Sequence, residues 1–161
     1  MKTNFEKLDF IVPSEIFDVY QSIPHDTFNI KTSPKYPDDI LYGNGVLKGT
    51  GRTESEFTEL CERFKGTVFQ YVLDEVSEYY NVGRARIMCL DPRRCLSWHQ
   101  DGNRRLHLPL QTNFGCHMVI NNESKHLPKG EWWMTNAFDY HTAFNGGEEK
   151  RYHLVLCIND S

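Results

Sequence analysis

Beyond Arg84 the chain is cut by turn residues into short apolar runs at near-regular intervals, and this rhythm constrains the fold most. Residues Ala85 to Leu90 form one run. Leu106 to Gln111 form another, which alternates with period two until Pro109. Cys116 to Ile120, Glu131 to Met134 and Tyr152 to Ile158 complete the set, with Phe138 to Ala143 expected as a further strand before the last. Gly102, Gly115, Gly130 and the Gly146-Gly147 pair punctuate them. Short, evenly spaced strands separated by glycine turns predict a sandwich, barrel or jelly roll.

The first eighty residues have a different character. Pro13 to Tyr20 reads as a short helix entered at Pro13 or Ser14. Residues 34–51 carry prolines and four glycines and read as loop with one strand at most. Thr53 and Glu56 have the spacing of a capping box, and Phe57, Leu60, Cys61, Phe64, Val68, Tyr71, Val72, Val76 and Tyr79 follow at helical intervals. The spacing predicts a long helix from Thr53 to about Asn81 that buttresses one sheet from outside. The expectation is one domain over residues 1–161, with a helical and loop part at 1–83 and a β core at 84–158.

Bulk properties exclude several classes of function. The 161 residues are 39% hydrophobic and 25% charged, ordinary for a globular domain with a sizeable core. A net charge of -4 gives no reason to expect nucleic acid or an anionic membrane as partner. No apolar run is long enough to span a bilayer, and Glu6 interrupts any apolar leader at the start. The five cysteines, at 61, 89, 95, 116 and 157, form no Cys-x-x-Cys and cannot all pair. Thiols in that pattern point to a reducing, cytoplasmic setting.

The chemistry gathers in four positions. His99 and Asp101 are two apart, so in extended chain they share a face and can reach one ion, and Gly102 permits the turn that follows. Alone, such a pair more often marks a surface hydrogen bond or a local ion pair. His141 supplies a second imidazole from another strand, and Arg151 follows ten residues later. Two imidazoles and a carboxylate can hold one face of a ferrous ion and leave the other open. A guanidinium nearby can clamp a carboxylate through two parallel hydrogen bonds. Arg151 sits in the most apolar strand, where a charge is paired, functional or snorkelling to water. Arg105 and His107 share a face and can enter the same cavity, and His153 is the inward neighbour of Arg151.

The ordered blocks Arg86-x-Met88, His99-x-Asp101-Gly102, Arg105-Leu106-His107-Leu108-Pro109-Leu110-x-Thr112-Asn113, Gly130-Glu131-Trp132 and His141-x-Ala143-x-Asn145 through Lys150-Arg151-Tyr152-His153-Leu154-Val155 resemble the aspartyl/asparaginyl β-hydroxylase family. The resemblance covers residues 84–158 and leaves 1–83 unread. It implies a double-stranded β-helix, a jelly-roll or cupin-like fold, buttressed by N-terminal helices. It also implies an Fe(II)- and 2-oxoglutarate-dependent dioxygenase that uses O2 to hydroxylate an unactivated C–H of an amino acid or of a peptidyl Asp, Asn or Pro side chain. By that resemblance His99, Asp101 and His141 are the iron ligands and Arg151 holds the distal carboxylate of 2-oxoglutarate. Arg105 and His107 lie near the cosubstrate. The rival readings are a zinc hydrolase using the same trio, a non-catalytic cupin-like binding module, and a structural domain. The expected partner is a small molecule or peptide, and oligomeric state is unread.

Overall fold

The strands beyond residue 81 build two facing sheets because their side chains alternate in burial and chemistry. In the computed structural model, which describes residues 3–160, the elements run β1 (Phe5–Leu8), α1 (Ile16–Val19), β2 (Phe28–Asn29), β3 (Lys31–Thr32), β4 (Glu59–Leu60) and α2 (Val68–Ser77). Then come β5 (Val82–Leu90), β6 (Arg94–Cys95), β7 (Arg104–Gln111), β8 (Cys116–Ile120), β9 (Glu123–Lys125), β10 (Trp132–Thr135), β11 (His141–Asn145) and β12 (Arg151–Ile158). Residues 1, 2 and 161, the ends of the expected single domain, lie outside the described residues.

A major sheet has the order β1-β10-β7-β12-β5-β2, and a minor sheet the order β6-β11-β8-β9. All pairings are antiparallel, and the interleaved order is that of a double-stranded β-helix. Pro109 does not end its strand. The ladder between β7 and β12 shifts register where Pro109 faces His153, which accommodates a residue that has no N–H to donate.

On one face of the major sheet Ala85, Ile87, Leu106, Leu108, Leu110, Leu154, Leu156 and Ile158 point into the large apolar core. α2 covers that face with Val68, Phe69, Val72, Leu73 and Val76, a stripe at helical spacing. Each of these side chains contributes roughly 1.5–3 kcal/mol by leaving water. The opposite face carries Arg84, Arg86, Arg105, His107, Arg151 and His153, all buried. A small apolar cluster of Leu90, Met118, Leu127 and Ala143 joins the two sheets there.

The long helix expected from Thr53 is not formed. Glu56 does reach back to accept the Thr53 N–H at 3.4 Å, but this closes only a single 3-10 turn, Glu54–Glu56. Beyond it β4 pairs with β3, and the Cys61 N–H donates to Ile30 O at 2.8 Å. Gly66, at φ +75°, breaks the helical path just before α2, whose N-cap position is Thr67. The apolar spacing of Phe57, Cys61 and Phe64 is met by an irregular segment that buries all three. The N-terminal part, expected as helices and loops, also supplies β1 and β2 to the major sheet.

Candidate metal centre and its cleft

The backbone brings the two histidines together. His99 N donates to His141 O at 3.1 Å and His141 N to His99 O at 2.9 Å, an antiparallel bridge that carries the segment after β6 onto β11. Asp101 N donates to Ala137 O at 2.8 Å, so residues 99–101 stay extended and the two side chains share a face. His141 Nε2 lies 3.2 Å from Asp101 Oδ2, and His99 Nε2 lies 3.8 Å from the same oxygen. One donor atom from each of the three lies within 4.8 Å of the others.

The far side of each ring is committed. His99 Nδ1 donates to Ser97 O at 2.7 Å and His141 Nδ1 to Asp139 O at 2.8 Å. A carbonyl accepts only, so each ring keeps a proton on Nδ1 and turns Nε2 toward the other two donor groups. Burial pushes the Asp101 carboxyl up, but the His141 hydrogen bond and the charges of Arg105, His141 and His99 outweigh it and hold it below the ordinary 3.8. Two imidazoles and one carboxylate, all on one side, suit a divalent transition metal that keeps open positions. The donor set therefore fits Fe(II), and by chemistry alone also fits zinc.

The trio opens on a cleft of about 1310 Å³ between the sheets. Arg151 lies in it, 5% exposed, with its Nε unpartnered among the described residues. Burial lowers its pKa to about 10, and among the described residues the acids acting on it are the thiols of Cys116 and Cys89. A buried guanidinium without a carboxylate is costly unless something anionic completes it. Arg151 therefore neither snorkels nor pairs. His107 also lines the cleft, with its Nδ1 3.2 Å from His153 Nδ1. Burial and then the Arg151 charge hold both rings well below the ordinary histidine value, so both are neutral.

Arg105 is more occupied than its shared face with His107 implies. Its Nη2 lies 2.7 Å from Glu54 Oε1 and 3.4 Å from Asp101 Oδ1. It thus links the His-Asp-His trio to Glu54, which no sequence pattern marks. Glu54 also pairs with Arg84 at 3.2 Å, and Cys157 Sγ donates to its other oxygen. Burial raises the Glu54 pKa, but Arg105, Cys157 and Arg84 bring it below the ordinary 4.5. Arg86 donates to Asn44 O at 2.8 Å, and burial with the neighbouring Arg84 and Arg105 lowers it to about 9. Sequence reasoning missed Glu54 and Arg84 altogether and knew Arg86 only as part of a block. Its one signal was arginine recurring at period two inside an apolar strand. Asn145, buried, donates to Leu90 O at 3.0 Å and Glu149 O at 2.7 Å, fixing the turn that leads to Arg151.

Fold and site together define a double-stranded β-helix protein with a His-Asp-His trio at the mouth of an arginine-lined cleft. The chain belongs to the aspartyl/asparaginyl beta-hydroxylase family, whose sequence model matches residues 20–160, well beyond the 84–158 legible by eye. No curated protein matches it. A solved oxidoreductase of the 2OG-Fe(II) oxygenase family from Burkholderia pseudomallei superposes with a TM-score of 0.63 at 12% identity, covering 91% of this chain and 76% of that one. A cupin domain from Bordetella pertussis covers 50% of this chain and 84% of its own at 12% identity, with a TM-score of 0.43. At 12% identity the likeness to the Burkholderia oxidoreductase is one of fold.

Proposed function

We propose that this chain is an Fe(II)- and 2-oxoglutarate-dependent oxygenase that hydroxylates an unactivated C–H of an amino acid or of a peptidyl side chain. The observation that carries this reading is the joint presence, in one cleft, of a one-sided His-Asp-His trio and a buried arginine lacking a carboxylate. A zinc hydrolase has use for the trio but none for Arg151, and a structural domain has use for neither.

His99, Asp101 and His141 would hold the metal through Nε2, a carboxylate oxygen and Nε2. Fe(II) held there would supply the redox chemistry that couples oxidation of 2-oxoglutarate to succinate and CO2, which takes up one atom of O2, to insertion of the other atom into a substrate C–H bond. Arg151 clamps the distal carboxylate of the cosubstrate in a bidentate pair, which strengthens as water leaves the cleft. Arg105 steadies Asp101 in its ionised form and, through Glu54, ties the trio to the loop at residues 45–55 that lines the cleft.

The remaining charges bear on the substrate. On the Glu54 side, Arg84, Arg86 and Arg105 face two carboxylates, Glu54 and Asp101, and one of these is needed by the metal. The surplus favours a substrate bearing a carboxylate, as an amino acid does. Trp98 and Tyr140 stack at 6.1 Å at the exposed edge of the cleft and offer apolar cover for the rest of it.

The test is succinate release from 2-oxoglutarate by the purified, Fe(II)-loaded chain, screened with free amino acids and short acidic peptides by a mass gain of 16. Turnover that needs both iron and 2-oxoglutarate, with Arg151→Ala raising the KM for 2-oxoglutarate, is expected. Metal binding with no 2-oxoglutarate binding overturns the proposal.

A further inference from the structure

The geometry points to His153 as a positioning residue that fixes the tautomer of His107, so that His107 offers an Nε2–H to an anion held in the cleft. In the function proposed above, on which this inference rests for the identity of its ligand, that anion is 2-oxoglutarate.

The two rings come from neighbouring strands. His107 on β7 faces Val155 on β12, and His153 is two residues from Val155, so the rings are diagonal neighbours on one face. Their Nδ1 atoms lie 3.2 Å apart and their planes meet at 82°. Both rings are buried and neutral, so one proton lies between the two facing nitrogens. If His107 keeps it, the His107 Nε2 shows the cleft a lone pair. If His153 keeps it, the His107 proton moves to Nε2 and becomes a donor.

The surroundings choose the second arrangement. His153 does not reach the cleft; with Thr112, Cys116 and Arg151 it lines a small enclosed gap. In that gap His153 Nε2, Arg151 Nε and Thr112 Oγ1 all lack partners among the described residues. Arg151 Nε is a donor only, so a lone pair on His153 Nε2 complements it and an N–H would oppose it. A hydroxyl such as that of Thr112 can donate to that lone pair, and the gap leaves no room for a water. Arg151 is the leading charge on both rings, but of the two only His107 also feels a carboxylate, Asp101. The proton therefore belongs on His153 Nδ1, and the ring that lines the cleft becomes a hydrogen-bond donor beside Arg151.

The first measurement is the tautomer of His107 by long-range ¹H–¹⁵N correlation in the full chain without metal. Protonation at Nε2 is expected, and protonation at Nδ1 overturns the inference. The second is 2-oxoglutarate binding by calorimetry to the metal-loaded chain under argon. His153→Leu removes the donor with little change in volume and weakens binding about tenfold, while metal affinity and kcat at saturating 2-oxoglutarate hold. His153→Asn, whose amide N–H stands near the Nδ1 position, restores binding to within about twofold. A folded His153→Leu variant with unchanged 2-oxoglutarate affinity overturns the inference, as does equal weakening in both variants. Absence of 2-oxoglutarate binding by the unaltered chain overturns the function proposed above, and the tautomer then decides the role of His153 by itself.

Discussion

The two faces of the major sheet are made by the same strands and have opposite characters. One is closed by α2 and α1 and is apolar at its centre, with Leu106, Leu108, Leu154 and Leu156 without exposure. The other holds four arginines and two histidines from β5, β7 and β12, buried against the minor sheet. Odd and even positions of one strand thus divide the tasks of stability and chemistry. The arginines are tolerable because the cleft gives them Glu54, Asp101, backbone carbonyls and, by the function proposed here, bound anions.

This division can be broken from either side. The largest effect is expected on the charged face: His141→Ala removes one metal donor and lowers metal affinity more than about a hundredfold, the upper range reached by changes behind a metal ligand. Calorimetric metal titration checks it, and the unfolding midpoint of the metal-free protein stays in place. On the apolar face Leu154→Ala leaves a cavity and costs about 2–5 kcal/mol in urea unfolding, with metal affinity unchanged in the folded protein.

Glu54→Gln sharpens the comparison, because it tests whether the charged face stabilises itself. Loss of the carboxylate leaves Arg84 and Arg105 short of a partner and costs about 3 kcal/mol near neutral pH. The folded-state pKa of Glu54 is lowered, so its contribution is present above the ordinary 4.5 and is lost as pH falls through the folded value. The stability gap between the parent and Glu54→Gln should therefore close on acidification, and unfolding curves at several pH values check this. Thr53→Ala is the smallest change, about 1 kcal/mol or less, because the capping interaction secures only the turn that presents Glu54.

The β core was legible because alternation and glycine turns survive in the one-dimensional pattern: Cys116–Ile120 falls where the sequence placed it. His99, Asp101 and His141 were legible as a trio because a period-two pair and a distant histidine match the demands of one ion. Glu54 was not, since its partners Arg84 and Arg105 lie 30 and 51 positions away and only the folded loop brings them together. The long helix was misread for a related reason. Helical spacing states which side chains are buried, and an irregular segment interrupted at Gly66 buries Phe57, Cys61 and Phe64 as well as a helix does.

The paired backbone hydrogen bonds between His99 and His141 have a consequence for loading. The two imidazoles are seated by the sheet's own ladder, so a metal entering the site has little chain to order and its affinity is not spent on folding. The chain is accordingly expected to survive chelation as a folded apoprotein, and loss and recovery of the metal become a reversible event at the rim of a persistent scaffold.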